Sequence, residues 1–216
     1  EFDPATGVLS ITGSGDMYDY ATISAVPFDS YKTKITSVKV AEGITSIGDR
    51  AFQNAPVTSV ALPSTLKDIG NQAFYGTKLT SVAIPNAVTA IGDGAFEGTS
   101  ITGVKLPSSL KVIGASAFKD TPLTSLTVPA SVTNIGEAAF AGEEGKSKLT
   151  AIVFEGAPPS IGAYTFAGVT ATATCDAAKG WTSTHTLQYG GKLTWNVLNP
   201  CYKGHSYTYD KDTQSL

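Results

Sequence analysis

The stretch Leu79-Thr80-Ser81-Val82-Ala83-Ile84-Pro85-Asn86-Ala87-Val88-Thr89-Ala90-Ile91-Gly92-Asp93-Gly94-Ala95-Phe96-Glu97-Gly98-Thr99 decides the fold. Its Ile-Gly pair and the phenylalanine four residues after the glycine recur as Ile47-Gly48/Phe52, Ile69-Gly70/Phe74, Ile91-Gly92/Phe96, Ile113-Gly114/Phe118 and Ile135-Gly136/Phe140, always 22 residues apart. A sixth copy, Ile161-Gly162 with Phe166, follows after 26. The extra residues fall in Glu143-Glu144-Gly145-Lys146-Ser147, a polar insertion that a repeat array tolerates as a surface loop. Self-similarity at such a period is the mark of a stacked repeat protein.

Each unit opens on three apolar positions: Ile35/Val38/Val40, Val57/Val60/Leu62, Leu79/Val82/Ile84, Ile101/Val104/Leu106, Leu123/Leu126/Val128 and Leu149/Ile152/Phe154. The last two of each triple alternate, the pattern of a strand with one buried face. Pro63, Pro85, Pro107 and Pro129 end it, because proline lacks the donor that a strand ladder needs. One unit cannot hide its own apolar face, so the units must stack, burying the aliphatic columns and the phenylalanine column in a shared interior. The sequence therefore predicts a solenoid with one short parallel strand per coil, and six strands ~4.8 Å apart give a sheet roughly 29 Å long. The glycine after isoleucine is expected to permit a tight bend, and the alanine before phenylalanine to let coils approach.

The pattern from Leu79 to Thr99 resembles the BspA type of leucine-rich repeat found on bacterial cell surfaces. It departs from the standard leucine-rich repeat in carrying proline, not Asn or Cys, after the strand. The resemblance implies a right-handed leucine-rich-repeat-like coil with irregular or short helical returns, capped at both ends. It divides the chain into an N-terminal cap strand and loop (1–34), six repeats (35–168), a C-terminal cap (169–201) and a polar, Tyr-rich stretch (202–216) that is a tail or the start of another module. Gly7 to Met17 resembles the strand and loop preceding such arrays, and Trp181 with Tyr189 to Trp195 a closing segment.

The 216 residues carry 15 basic and 18 acidic side chains, a net charge of −3, and only 15% charged residues, leaving a surface of Ser, Thr, Ala and Gly. Arg50 is the sole arginine, which argues against nucleic acid, where forked guanidinium donors are favoured. The longest apolar run, Ala151-Ile152-Val153-Phe154, is far short of the ~18 residues of a membrane span. The chain begins at Glu1 without a leader, consistent either with a removed signal peptide or with a piece of something larger.

No catalytic set is expected, and no cofactor or metal. Gly142-Glu143-Glu144-Gly145-Lys146-Ser147 ends like a phosphate-binding loop, but Phe140 stands where its first glycine belongs. Gly13-Ser14-Gly15 begins a dinucleotide fingerprint that Tyr18 breaks. Cys175, His185, Cys201 and His205 lack the close pairing that nucleates a zinc site. Asp49, Asp93 and Glu137 share the slot after Ile-Gly and read as a solvated edge. The phenylalanine column reads as core, and the column Thr36, Thr58, Thr80, Thr102, Thr124 and Thr150 as hydroxyls that bond along the stack.

What remains is surface. Ser37, Lys39, Ser59, Ser81, Lys105, Ser125 and Thr127 should point outward from the strands and form a flat, nearly neutral face without a deep pocket. Large side chains concentrate in the flanks, where Trp181, Tyr189 and Trp195 offer an alternative binding set. Three functions fit: an exported, monomeric surface protein that binds a protein or glycoprotein of a host or neighbouring cell, or of the extracellular matrix, as the resemblance implies; a carbohydrate-binding module using the flank rings; and a spacer. Cys175 and Cys201 each follow an alternating stretch, so a disulfide across the cap, fitting an extracellular location, stands beside two inert thiols as the alternative.

Overall fold

A computed structural model describes residues 1–22, 24–182, 185 and 189–198. In chain order their strands are β1 (Phe2–Asp3), β2 (Val8–Ile11), β3 (Gly15–Asp16), β4 (Ser37–Val40), β5 (Ile44–Ile47), β6 (Ser59–Ala61), β7 (Asp68–Ile69), β8 (Val82–Ala83), β9 (Ala90–Ile91), β10 (Val104–Lys105), β11 (Val112–Ile113), β12 (Ser125–Val128), β13 (Asn134–Ile135), β14 (Ala151–Phe154), β15 (Ser160–Ile161), β16 (Thr170–Asp176) and β17 (Lys192–Leu198). The chain is a parallel-strand solenoid with little helix.

Each coil has three sides. The first carries the expected strands: β2, β4 and β6 pair in parallel, as do β8 with β10, and β12 through β14 and β16 to β17. Register keeps equivalent residues level, Ser37 beside Ser59 and Lys39 beside Ala61. This side extends beyond the six repeats, since β2 lies in register ahead of β4, and β16 and β17 continue after β14. Antiparallel β1 covers the outer edge of β2.

The second side adds what the expectation of one strand per coil left out: a sheet in the order β15-β13-β11-β9-β7-β5-β3. Apart from the four-residue β5, its inner strands are only two residues long, each with one buried isoleucine, such as Ile69, Ile91 and Ile113. Between the two sheets the proline carbonyl closes a turn, accepting from Leu66, Val88, Leu110 and Val132 N–H at 3.1–3.2 Å. Those four side chains form a further buried column.

The third side holds the phenylalanines in overlapping tight turns. Backbone with φ between 53° and 60° recurs at one level, at Arg50, Gln72, Gly94, Ser116, Ala138 and Tyr164. The intervening N–H groups then bond from coil to coil: Phe52, Phe74, Phe96 and Phe118 donate to Ala73, Ala95, Ala117 and Ala139 carbonyls at 2.8 Å. The rings form one pile, Phe28-Phe52-Phe74-Phe96-Phe118-Phe140-Phe166, with centroids 5.2–5.7 Å apart. The repeat period thus sets an offset-stacked aromatic column inside a continuous core.

The glycine after isoleucine has a different cause from the bend anticipated. A Cβ on Gly92 would sit 2.7 Å from Asn71 N, and one on Gly136 2.3 Å from Ala115 N. Neither has positive φ. These glycines let the backbone of one coil rest on the backbone of the coil before it.

Candidate binding face

The outward residues of the first side form two columns by register. One runs Ser37, Ser59, Ser81, Gly103, Ser125, Ala151, Thr172 and Thr194; the other runs Lys39, Ala61, Ala83, Lys105, Thr127, Val153, Thr174 and Asn196. Of the residues expected here, Lys39, Ser59, Ser81, Lys105, Ser125 and Thr127 are exposed and Ser37 half-buried. Ser59 Oγ donates to Ser37 Oγ at 2.9 Å. Lys39 and Lys105 share one column, separated by Ala61 and Ala83.

At the strand entrances the threonine column behaves as the sequence suggests. The Thr58, Thr124 and Thr150 hydroxyls donate to the carbonyls of Thr36, Thr102 and Thr124 at 3.0–3.4 Å. Their exposed hydroxyls are therefore committed to the scaffold.

The flank rings lie elsewhere than a sugar platform requires. Trp181, Tyr189 and Trp195 are 4%, 2% and 5% exposed, so no face of them is open to a ligand. They pack with Phe154 into a plug, with centroids of 4.7 Å for Phe154–Trp181 and 5.3 Å for Tyr189–Trp195. Trp181 Nε1 donates to the Gly156 carbonyl at 2.8 Å. Burial raises the Tyr189 phenol above the ordinary tyrosine range. The carbohydrate reading is corrected on this point: a coil with no successor must cover its own apolar end, and these rings do that.

Cys175 is a free thiol, buried on the inner face of β16, and burial, with a smaller contribution from the charge of Asp176, pushes its pKa up to about 11. Cys201 and His205 lie outside the described residues. His185 sits against Trp181, with Nδ1 2.8 Å from Thr182 Oγ. Among the described residues no three His, Cys, Asp or Glu side chains converge on a metal-sized site.

The slot after Ile-Gly does more than solvate an edge. Asp49 accepts from Asn71 N and Nδ2 at 2.6 and 3.0 Å, Asn71 Oδ1 accepts from Asp93 N at 2.8 Å, and Asp93 accepts from Ala115 N at 2.7 Å. Each side chain caps a backbone donor of the following coil. The 22-residue spacing of Asp49, Asn71 and Asp93 was the available signal.

Two concavities flank the sheets. A cleft of about 520 Å³ lies at the insertion, between Lys119, Asp120, Glu143, Lys146 and Lys148. Its charges largely satisfy one another: Lys146 pairs with Glu143 at 2.7 Å, and Lys119 with Glu97 at 3.1 Å, which raises the Lys119 pKa. The Gly-Lys-Ser sequence is thus part of a solvated turn. A groove of about 350 Å³ at the N-terminal end is walled by Phe2, Leu9, Pro27, Phe28 and Tyr31.

Two short parallel strands per repeat, a recurring 22-residue period and an interior of stacked apolar columns define a leucine-rich-repeat solenoid. The chain belongs to the BspA type of leucine-rich repeat region, which matches residues 21–146 in six copies. It is similar to a leucine-rich repeat protein of Eubacterium ventriosum, with 33% identity over 69% of this chain and a TM-score of 0.62; it spans 40% of that protein. A leucine-rich repeat protein of T. pallidum is 23% identical over 78% of this chain and 84% of its own, with a TM-score of 0.59, and shares the fold. Nothing matches among curated proteins. A repeat of this class points to a protein-interaction module, and no helix among the described residues is long and apolar enough to cross a membrane.

Proposed function

We propose that the chain is an exported, non-catalytic interaction module at the bacterial surface, a monomer that docks a protein or glycoprotein of a host or neighbouring cell, or of the extracellular matrix, on the outward face of β4, β6, β8, β10, β12, β14, β16 and β17. One observation carries this reading. The two outward columns present mostly small, mostly exposed side chains along the stacked strands, while the C-terminal flank rings Trp181, Tyr189 and Trp195 are buried in the plug. Extended repeat surfaces bind by many modest contacts, and a flat face of Ser, Ala, Gly and Thr lets a partner's backbone come close. Residence at the cell surface is what the BspA type suggests.

Placing a bulky ring in the face tests the assignment. Ser81→Trp should reduce attachment of the purified chain to immobilised matrix proteins or to host cells at least ~10-fold, whereas Thr89→Trp, on the second side, should leave it within ~2-fold. Equal loss in both variants, or none in either, removes the strand face as the docking surface. No attachment by the unmodified chain would leave the spacer reading.

A further inference from the structure

The lysines of this molecule fall into two groups. Lys119, Lys146 and Lys192 pair with Glu97, Glu143 and Glu144, and Lys179 donates to the Glu155 carbonyl. Lys34, Lys39, Lys67, Lys78, Lys105, Lys111 and Lys148 are exposed and form no ion pair among the described residues. Lys67 and Lys111 lie on the second side, and the other five belong to the first. Lys39 and Lys105 project from one outward column, and Lys34, Lys78 and Lys148 occupy equivalent positions just ahead of Ile35, Leu79 and Leu149, where the chain turns into the strands.

The carboxylates lie elsewhere. Among the described residues, neither the two outward columns nor the entrance positions carry an Asp or Glu. Asp49 and Asp93 are committed to the ladder beyond the second side, Asp16 and Asp68 sit on the second sheet, and Glu42, at the strand exit, is held by Ser64 N and Oγ at 2.9 Å. In a chain with a net charge of −3, these two columns and the entrance row thus carry lysines and no carboxylate, the nearest acids of this side being Asp176 at the end of β16 and Glu155 just past β14.

We propose that this side binds an acidic protein segment in extended conformation, laid along the stacking axis. This rests on the strand face being the docking surface, and it names the partner's chemistry. Three strand spacings of ~4.8 Å put Lys39 and Lys105 roughly 14 Å apart, about four residues of an extended chain at ~3.3 Å per residue. Lys34 and Lys78, two coils apart, are separated by roughly 10 Å, about three residues. Acidic residues at intervals of three to four would meet both rows, with Ala61, Ala83 and Gly103 between them leaving room for the segment's backbone. Unpaired ammonium groups on a surface that stays partly wet steer and select an anionic partner. The side carries no arginine fork for phosphate and no exposed ring in its two columns to stack on a sugar, so protein carboxylate is the anion it fits.

A fluorescein-labelled peptide of about 15 residues, with glutamate at every third or fourth position, is the probe, read by anisotropy on the full chain at low and physiological salt. Binding should be salt-sensitive. Lys39→Glu combined with Lys105→Glu should weaken it at least ~10-fold, whereas Lys67→Glu with Lys111→Glu, equally exposed on the second side, should weaken it less than ~2-fold. Circular dichroism melts verify that both variants fold. Equal weakening by the two pairs means diffuse attraction and overturns the proposal, as does tighter binding of heparin than of the peptide through the same lysines. If the lysine pair is silent while Ser81→Trp still blocks attachment to matrix or cells, the acidic partner is wrong and the strand face stands; if Ser81→Trp is silent as well, both fall.

Discussion

The middle of the array and its C-terminal end solve the same problem by different means. Between Phe52 and Phe140 every coil buries its apolar residues against a copy of itself, so the phenylalanine pile is nearly a lattice, with interplanar angles down to 2°. After Phe166 the described residues hold no further copy to lean on. There Trp181, Tyr189 and Trp195 meet at mixed angles, stacked, tilted and edge-on, and fill the end of the core. A periodic core needs only one well-fitting residue per slot. An end needs large rings, each with its own contacts, and a polar atom such as Trp181 Nε1 must find a partner there. In this chain, therefore, the large rings of the C-terminal flank are lid.

The sharpest way to break this contrast is in the lattice. Phe96→Ala removes a ring that lies between Phe74 and Phe118 at 5.4 and 5.2 Å, and neighbouring coils joined by backbone bonds cannot collapse into the gap. Denaturant unfolding should show a loss of about 3–5 kcal/mol. A loss under ~1 kcal/mol would mean that the pile contributes little beyond filling space.

The plug can be read through pH. Burial holds the Cys175 thiol protonated up to about pH 11 in the folded chain, while the unfolded chain releases that proton near the ordinary thiol value of 9.0. The folded state then binds more protons between those limits, so stability should fall as pH rises from about 9 towards 11, by at most roughly 2 kcal/mol from this group. Comparing urea unfolding of the unmodified chain and Cys175→Ala at pH 7, 9 and 10.5 isolates the contribution, because the variant should lose the extra alkaline slope. Parallel curves would place the thiol in water.

The smallest effect belongs to the insertion. Deleting Glu143 to Lys146 restores the 22-residue step between Phe140 and Phe166 and removes two exposed ion pairs, Lys146–Glu143 and Lys192–Glu144. Stability should change by less than about 1 kcal/mol, since exposed pairs and loop length both count for little. Failure of the shortened chain to fold would show that the insertion, unlike the repeats around it, carries structure that the core depends on.

Much of the fold was legible in the sequence because period and chemistry coincide in it. Ile91-Gly92, Phe96 and the alternation of Val82 and Ile84 state the repeat, its strand and its core column directly. The second sheet was not legible, because a strand such as Asp68–Ile69 has one buried residue and no alternation to display. The role of Gly92 was misread for a related reason: the atom it must avoid, Asn71 N, belongs to another coil, and local sequence cannot show it. Asp49, Asn71 and Asp93 look unlike one another along the chain but serve as acceptors in the same slot, so only alignment at the repeat period reveals the ladder. At the binding face, the outward positions of Lys39, Ser81 and Lys105 followed from alternation alone. The burial of Trp181, Tyr189 and Trp195 did not, because the end of the array has no pattern to align.

If Trp181, Tyr189 and Trp195 are lid, the C-terminal flank offers a partner no open ring, and the chain supplies its own probe, since Trp181 and Trp195 are its only tryptophans. Acrylamide quenching and the emission maximum of the native chain test this most directly. The account predicts blue-shifted emission and slow quenching for both residues, unchanged by adding oligosaccharides, with the unfolded chain giving the red-shifted, readily quenched signal of free indole. Red-shifted, readily quenched emission from the folded chain, or a shift on adding sugar, would put the rings in water and return the C-terminal flank to contention as the binding site.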